Sequence, residues 1–251
     1  MSFTRCSVVL LVFSLTFPAI GWSGSAPTVS TIVIGFVGGF VAHGNAAHYE
    51  VQLANRLRQQ YPQGLAVRTF ANHRGSEARQ EILRLLDTDR DGSLSSEEKR
   101  SARIAIYGHS WGASQTITLA KSLARDGIPV LLTVQVDSVQ KLGQDDQWIP
   151  RNVRQAANFY QTDGWLHGRS RIRAVDDSRT QIVGNFQFQY KSEPVSCEGY
   201  PWYARMFMKP HIEIESDPAV WMRVESLIRS QLEPGDKPPT AASEMPRKSS
   251  Q

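Results

Sequence analysis

One pentapeptide of this chain, Gly108-His109-Ser110-Trp111-Gly112, has the residue types and spacing for nucleophilic catalysis. A serine hydroxyl serves as a nucleophile when it stands at the tip of a sharp strand-to-helix turn, in a strained backbone conformation. Glycines are needed on both sides, because side chains there would collide with the neighbouring strand and helix. The same turn aims the N–H of Trp111 and the start of the following helix at the reacting oxygen. A second stretch, Asp87 to Glu98, sets carboxylates at Asp87, Asp89 and Asp91 just ahead of Gly92, a spacing suited to a hard cation.

The elements on either side must position these residues. Thr31 to Phe40 is a β-branched run ending in glycines, which predicts a buried strand and a tight turn. Leu65 to Phe70, Arg103 to Tyr107 and Val130 to Val136 read as further strands, and residues 153–161 and 181–190 as two more. Helices are expected over Ala46 to Gln60, Ser76 to Leu86 and Gly112 to Ala124. A last helix opens with Asp217 as N-cap and Pro218 at its first position. Strand and helix alternate, so the chain is expected to be an α/β protein, a mostly parallel sheet of about six strands with helices on both faces.

The pentapeptide directly follows an apolar strand and opens an amphipathic helix, with a glycine turn upstream and a late histidine. With these features, residues 29–232 resemble the α/β-hydrolase family, specifically its small lipase- and esterase-like members. The resemblance implies a triad in chain order serine, acid, histidine. His43, His48, His73 and His109 all precede Ser110. His211, just ahead of the last helix, stands where the family carries its base on a loop, whereas His167 lies in a Gly-rich loop and reads as a surface side chain. Asp137 is preferred as the acid, because it closes a strongly apolar strand and a partly buried carboxylate needs a partner. Asp163, after the next strand, is the alternative acid. The oxyanion donors implied are the N–H of Trp111 and one from Gly39 or Phe40. That turn, Val37-Gly38-Gly39-Phe40, departs from the His-Gly-Gly-Gly form of many lipases.

Asp87 to Glu98 resembles an EF-hand calcium loop at each diagnostic position. The resemblance implies one structural calcium ion, held by Asp87, Asp89, Asp91, the Ser93 carbonyl, Ser95 through water and both oxygens of Glu98. Only a short exiting helix fits before the next strand, and no second loop pairs with this one. The ion would tie the helix ending at Leu86 to the strand that delivers Ser110.

Other features carry less. Gly199 to Met208 concentrates aromatic residues and methionines, and reads as a core segment ahead of a substrate wall or lid. Arg169, Arg171, Arg173 and Arg179 read as a solvated basic face, and Cys197 as an inert half-buried thiol. His43 and His48 lack metal-site company in the sequence. Residues 1–21, with Arg5 before the short apolar run Val8 to Phe17, read as a signal peptide. A linker (22–28), one folded domain (29–233) and a proline-bearing disordered tail (234–251) follow. An apolar share of 41% supports a real core, and a net charge of +4 falls short of a nucleic-acid binder. Two cysteines exclude a disulfide scaffold. The expectation is an exported protein, periplasmic or secreted, that cleaves carboxylic esters in small-molecule or lipid acyl substrates. No nucleic-acid partner and no membrane span in the mature chain are expected. A non-catalytic calcium-dependent binding module on a hydrolase fold, and a thioesterase or amidase using the same triad, are the alternatives.

Overall fold

The computed structural model describes residues 31–232, and the expected signal peptide, linker and tail lie outside them. The first half of the chain runs through β1 (Thr31–Val37), α1 (Tyr49–Gln60), β2 (Leu65–Ala71), α2 (Gly75–Leu86), α3 (Ser96–Arg100), β3 (Ile104–His109) and α4 (Trp111–Arg125). The second runs through β4 (Val130–Val136), β5 (Trp148–Ile149), β6 (Val153–Gln161), β7 (Arg173–Ala174), β8 (Gln181–Phe188), α5 (Trp202–Phe207), α6 (Lys209–Ser216) and α7 (Pro218–Arg229). Six strands make one sheet in the order β2-β1-β3-β4-β6-β8, and every neighbouring pair is parallel. The short β5 and β7 pair separately.

Because successive side chains of a strand point to opposite faces, each central strand feeds two cores. Ile32, Ile34 and Phe36 of β1 join Ile104 and Ile106 of β3 under Ile82 of α2 and Ile117 of α4. Val33, Tyr107, Val134 and Phe159 face the other way, onto Leu53 and Leu57 of α1 and Trp221 and Val224 of α7. Burying an aliphatic or aromatic side chain of this size contributes roughly 1.5–3 kcal/mol each, so these two layers hold the sheet. The sheet therefore carries helices on both faces, as the alternation of elements implies.

The α4 helix packs unusually close to β1. A Cβ on Gly112 would stand 2.3 Å from the Phe36 carbonyl oxygen, and one on Gly108 would stand 2.6 Å from the carbonyl carbon of Gly112. Both are backbone collisions that no side-chain rotation relieves, which is why glycines flank the serine turn.

Three expectations need correction. Residues 199–208 are not core: Trp202, Tyr203, Met206 and Phe207 are exposed, and of α5 only Ala204 is buried. Residues 209–216 form a helix, not the loop expected around His211. Their Ile-Glu-Ile-Glu alternation imitates a strand, yet Ile212, Glu213, Ile214 and Glu215 are all buried, so no polar face marks the helical period. The α1 helix begins at Tyr49, after turns that occupy the stretch from residue 43. Among the described residues no helix is long and apolar enough to cross a membrane.

Candidate active site

Register brings the first two site residues together. β3 pairs with β4 so that His109 lies opposite Val136, and the next residue of each strand, Ser110 and Asp137, leaves the sheet at the same edge. The Ser110 N–H donates to the Val136 carbonyl at 2.9 Å, and the Val139 N–H to the Ser110 carbonyl at 3.3 Å. Ser110 has φ 56° and ψ −125°, a left-handed conformation outside the ordinary allowed regions, immediately before the first turn of α4. Such strain persists only where the surroundings enforce it, and here the close packing of Gly108 and Gly112 does so.

Asp137 also has positive φ, 42°, and is wholly buried. Its carboxylate accepts the Gly168 N–H at 2.7 Å, the Gln161 N–H at 3.3 Å and the Gln161 Nε2–H at 2.8 Å. A Cβ on Gly168 would lie 2.2 Å from the Asp137 carbonyl carbon, so only glycine lets that N–H approach. Neither Gln161 nor Gly168 was recognisable from sequence, because their role exists only once the loop after β6 folds back on β4.

The third residue arrives from α6. His211 Nδ1 lies 2.7 Å from Asp137 Oδ2, and Nε2 lies 2.9 Å from Ser110 Oγ. With Nδ1 protonated towards the carboxylate, the Nε2 lone pair faces the serine hydroxyl, which donates to it. Burial lowers the proton affinity of His211, and the neighbouring His109 lowers it further. The rival acid Asp163 is committed elsewhere, accepting the Tyr190 N–H at 2.6 Å and the Lys191 N–H at 3.2 Å. His167 contacts the carbonyl of its neighbour Gly168.

The glycine turn after β1 abuts the serine: a Cβ on Gly38 would be 3.0 Å from Ser110 Cβ. Asn72 Nδ2–H donates to the Gly39 carbonyl and fixes the orientation of the Gly39–Phe40 peptide. Phe40 is almost fully exposed and meets the Trp111 ring edge-on at 5.4 Å. Beside this pair opens a cleft of about 520 Å³, in which Phe40, Trp111 and Leu142 supply apolar surface and Asn72, His73 and Lys141 polar groups. Burial lowers the proton affinity of Lys141, whose ammonium donates to the Asn72 carbonyl at 2.8 Å.

Sequence reasoning missed a second polar cluster behind His211. His48, taken to lack metal-site company, stands 2.5 Å from Glu215 and close to Glu50, and His109 lies 3.2 Å from Glu215. One signal was present in the sequence. Glu50 occupies the apolar stripe of α1 with Leu53, Ala54 and Leu57, where a carboxylate demands a buried partner.

At the acidic loop, the carboxylates of Asp87, Asp89 and Asp91 converge. Gly92 turns the chain with φ +84°, and its N–H and that of Asp91 donate to Asp87. Glu98 instead closes a capping box with Ser95 at the start of α3 and accepts from the Thr88 N–H and hydroxyl. Donors from Ser95 and then Thr88 pull the Glu98 carboxyl down to about 2.

No family model and no curated protein matches the chain. Among solved structures it is similar to a cutinase-like protein from Cryptococcus sp., with 13% identity and a TM-score of 0.42 over 82% of this chain and 97% of that one. It is also similar to an acetylxylan esterase, with 10% identity and a TM-score of 0.34 over 79% and 98% of the two chains.

Proposed function

We propose that this protein is a serine hydrolase that cleaves carboxylic esters, with Ser110 as nucleophile, His211 as general base and Asp137 as its orienting acid. One observation carries the reading: an unbroken hydrogen-bonded line from Asp137 through His211 to a serine held at φ 56°. A buried imidazole aligned by a carboxylate and facing a strained hydroxyl is the arrangement that acyl transfer requires.

In the reaction, His211 Nε2 takes the proton of the Ser110 hydroxyl as Oγ attacks the acyl carbon. Asp137 stabilises the imidazolium that forms. The negative charge on the carbonyl oxygen is met by the Trp111 N–H and a second donor from Gly39 or Phe40, each such donor being worth about 3 kcal/mol in the transition state. The imidazolium returns its proton to the departing alcohol, leaving an acyl-serine. Water, deprotonated by His211, then releases the acid and restores the hydroxyl. The cleft flanked by Phe40, Trp111 and Leu142 receives an apolar acyl or alcohol group. The chain is read as exported, on the strength of residues 1–21. Incubation with a fluorophosphonate probe should place one covalent adduct on the peptide containing Ser110, read by mass spectrometry. An unmodified protein after prolonged incubation would reject the reading.

We also infer a single calcium ion in the acidic loop, in a structural role. The convergence of Asp87, Asp89 and Asp91 and the glycine turn at Gly92 fit a hard cation, which Ser93, Ser95 and Glu98 would complete. Glu98 would then exchange some of its donors from Thr88 and Ser95 for the ion. Saturating calcium at about 100 times its dissociation constant should add about 2.7 kcal/mol of stability. Calorimetry should therefore show a melting temperature several degrees higher in millimolar calcium than in chelator, and an unchanged Tm would remove the ion.

A further inference from the structure

Behind the His211 imidazole lies a largely buried group of four ionisable side chains that the reaction above does not use. His109, at the end of β3, lies against His211 with ring centroids 4.6 Å apart and planes tilted by 35°. Its Nε2 sits 3.2 Å from the His211 carbonyl oxygen, an acceptor only, so Nε2 carries a hydrogen and donates. Its Nδ1 makes no hydrogen bond but lies within ion-pair distance of two carboxylates, 3.2 Å from Glu215 Oε2 and 3.9 Å from Glu50 Oε1. A buried imidazole that donates from Nε2 and has carboxylate oxygens this close to Nδ1 is stabilised in its doubly protonated, positively charged form. The other oxygen of Glu215 lies 2.5 Å from His48 Nδ1, which also meets the Tyr200 hydroxyl at 3.3 Å. Glu50 is fully buried, and neither of its oxygens accepts a hydrogen bond.

A metal ion is the competing occupant, since His48, Glu50 and Glu215 come close enough to share one. Distance decides against it. Two ligands about 2.0–2.1 Å from a tetrahedral zinc stand roughly 3.3 Å apart. At 2.5 Å, His48 and Glu215 are joined by a proton instead.

We propose that His48, Glu50, Glu215 and His109 form a buried proton network that keeps a cation, His109, against the back of His211, so that His211 remains uncharged and able to accept the Ser110 proton in mildly acidic medium. This deepens the hydrolase reading and rests on it. Glu215 is the counter-ion, Glu50 is the neutral acid beside it, and His109 is a positioning residue that never touches substrate. The charged neighbours agree in direction. Burial works against charging His109, but Glu215, then Glu50 and Asp137, raise it to about 9. Burial, and repulsion from Glu215, push Glu50 well above the ordinary carboxylate range. His211 is faced by Asp137 from β4, by Glu215 from its own helix and by His109 from β3; burial and His109 outweigh the two carboxylates and lower it. A free histidine is half-protonated near pH 6.5, whereas His211 in this setting keeps its lone pair to lower pH.

Two measurements on the full chain test the network. In histidine-labelled protein, nitrogen NMR at pH 7.5 should show both ring nitrogens of His109 protonated. A bare nitrogen on His109, or one equivalent of zinc retained through purification, would overturn the proposal. The rate of fluorophosphonate capture against pH gives the second reading. Its acid limb should move up by about one pH unit in His109→Gln, a tenfold slower capture below the limb. An unmoved limb in a folded variant also overturns the proposal. Where His109→Gln does not fold, the NMR measurement on the wild type decides alone. A wild type that is never labelled at Ser110 rejects the hydrolase reading, a result distinct from either failure of the network.

Discussion

Ser110→Ala should lower kcat on any ester the wild type cleaves by about a millionfold, with the melting temperature little changed. The size follows from what remains. Without the hydroxyl, His211 Nε2 has lost the group it deprotonates at 2.9 Å, and no acyl intermediate can form. What survives is polarisation of the carbonyl by the backbone donors, which typically sustains about 10³–10⁴-fold over water. Stability is expected to hold because the positive φ at this position costs alanine about what it costs serine. Steady-state kinetics with a chromogenic ester, alongside a thermal melt, checks both halves. Retention of a tenth of the wild-type rate would mean that hydrolysis does not pass through this hydroxyl.

Asp137→Asn should reduce kcat by about 10⁴ while leaving the chain folded. Asparagine is one of the few residues that accepts the φ of 42° found here, so the backbone need not move. The hydrogen bonds cannot all survive, however. The carboxylate accepts from Gly168, twice from Gln161 and from His211 Nδ1, and an amide has only one oxygen to offer. If its NH₂ turns towards His211 it donates to Nδ1, which moves the ring hydrogen to Nε2, the atom that must be bare to accept from Ser110. If it turns towards Gly168, two donors meet in a buried site, at a cost of about 1–3 kcal/mol. The matching change Asp163→Asn should alter kcat by less than about threefold, since that carboxylate caps the Tyr190–Lys191 backbone. Equal losses in both variants, compared in one kinetic assay, would count against Asp137 as the orienting acid.

Much of the scaffold was legible because the apolar pattern and the element period agree. Val130–Val136 is a mostly apolar, β-branched run flanked by turns and is a strand over those residues. Asp217 and Pro218 announce α7, where the Asp217 carboxylate does accept the Ala219 N–H. The serine turn was readable because steric need singles out glycine on both sides of it. Elements failed to show where burial and polarity disagree. Glu213 and Glu215 are buried in α6 by partners drawn from residues 48, 109 and 195, which no local window contains. The exposed aromatic residues of α5 misled for the opposite reason, since composition alone places such side chains inside. Which of Asp137 and Asp163 faces His211 depends on the fold of the loop through Gly168, a tertiary fact.

The Ser110 hydroxyl and the Asp137 carboxylate stand just past the ends of adjacent strands, where backbone bonds to Val136 and Phe159 continue the sheet's ladder. The imidazole comes instead on α6, which follows the largely exposed α5, and the Phe207 carbonyl between them accepts the Trp165 Nε1–H at 2.6 Å. The proposed triad thus divides between the edge of the sheet and a buried helix. Because Ile214 of that helix packs in one apolar layer with Val134 and Phe159, the imidazole and the strands share a single foundation.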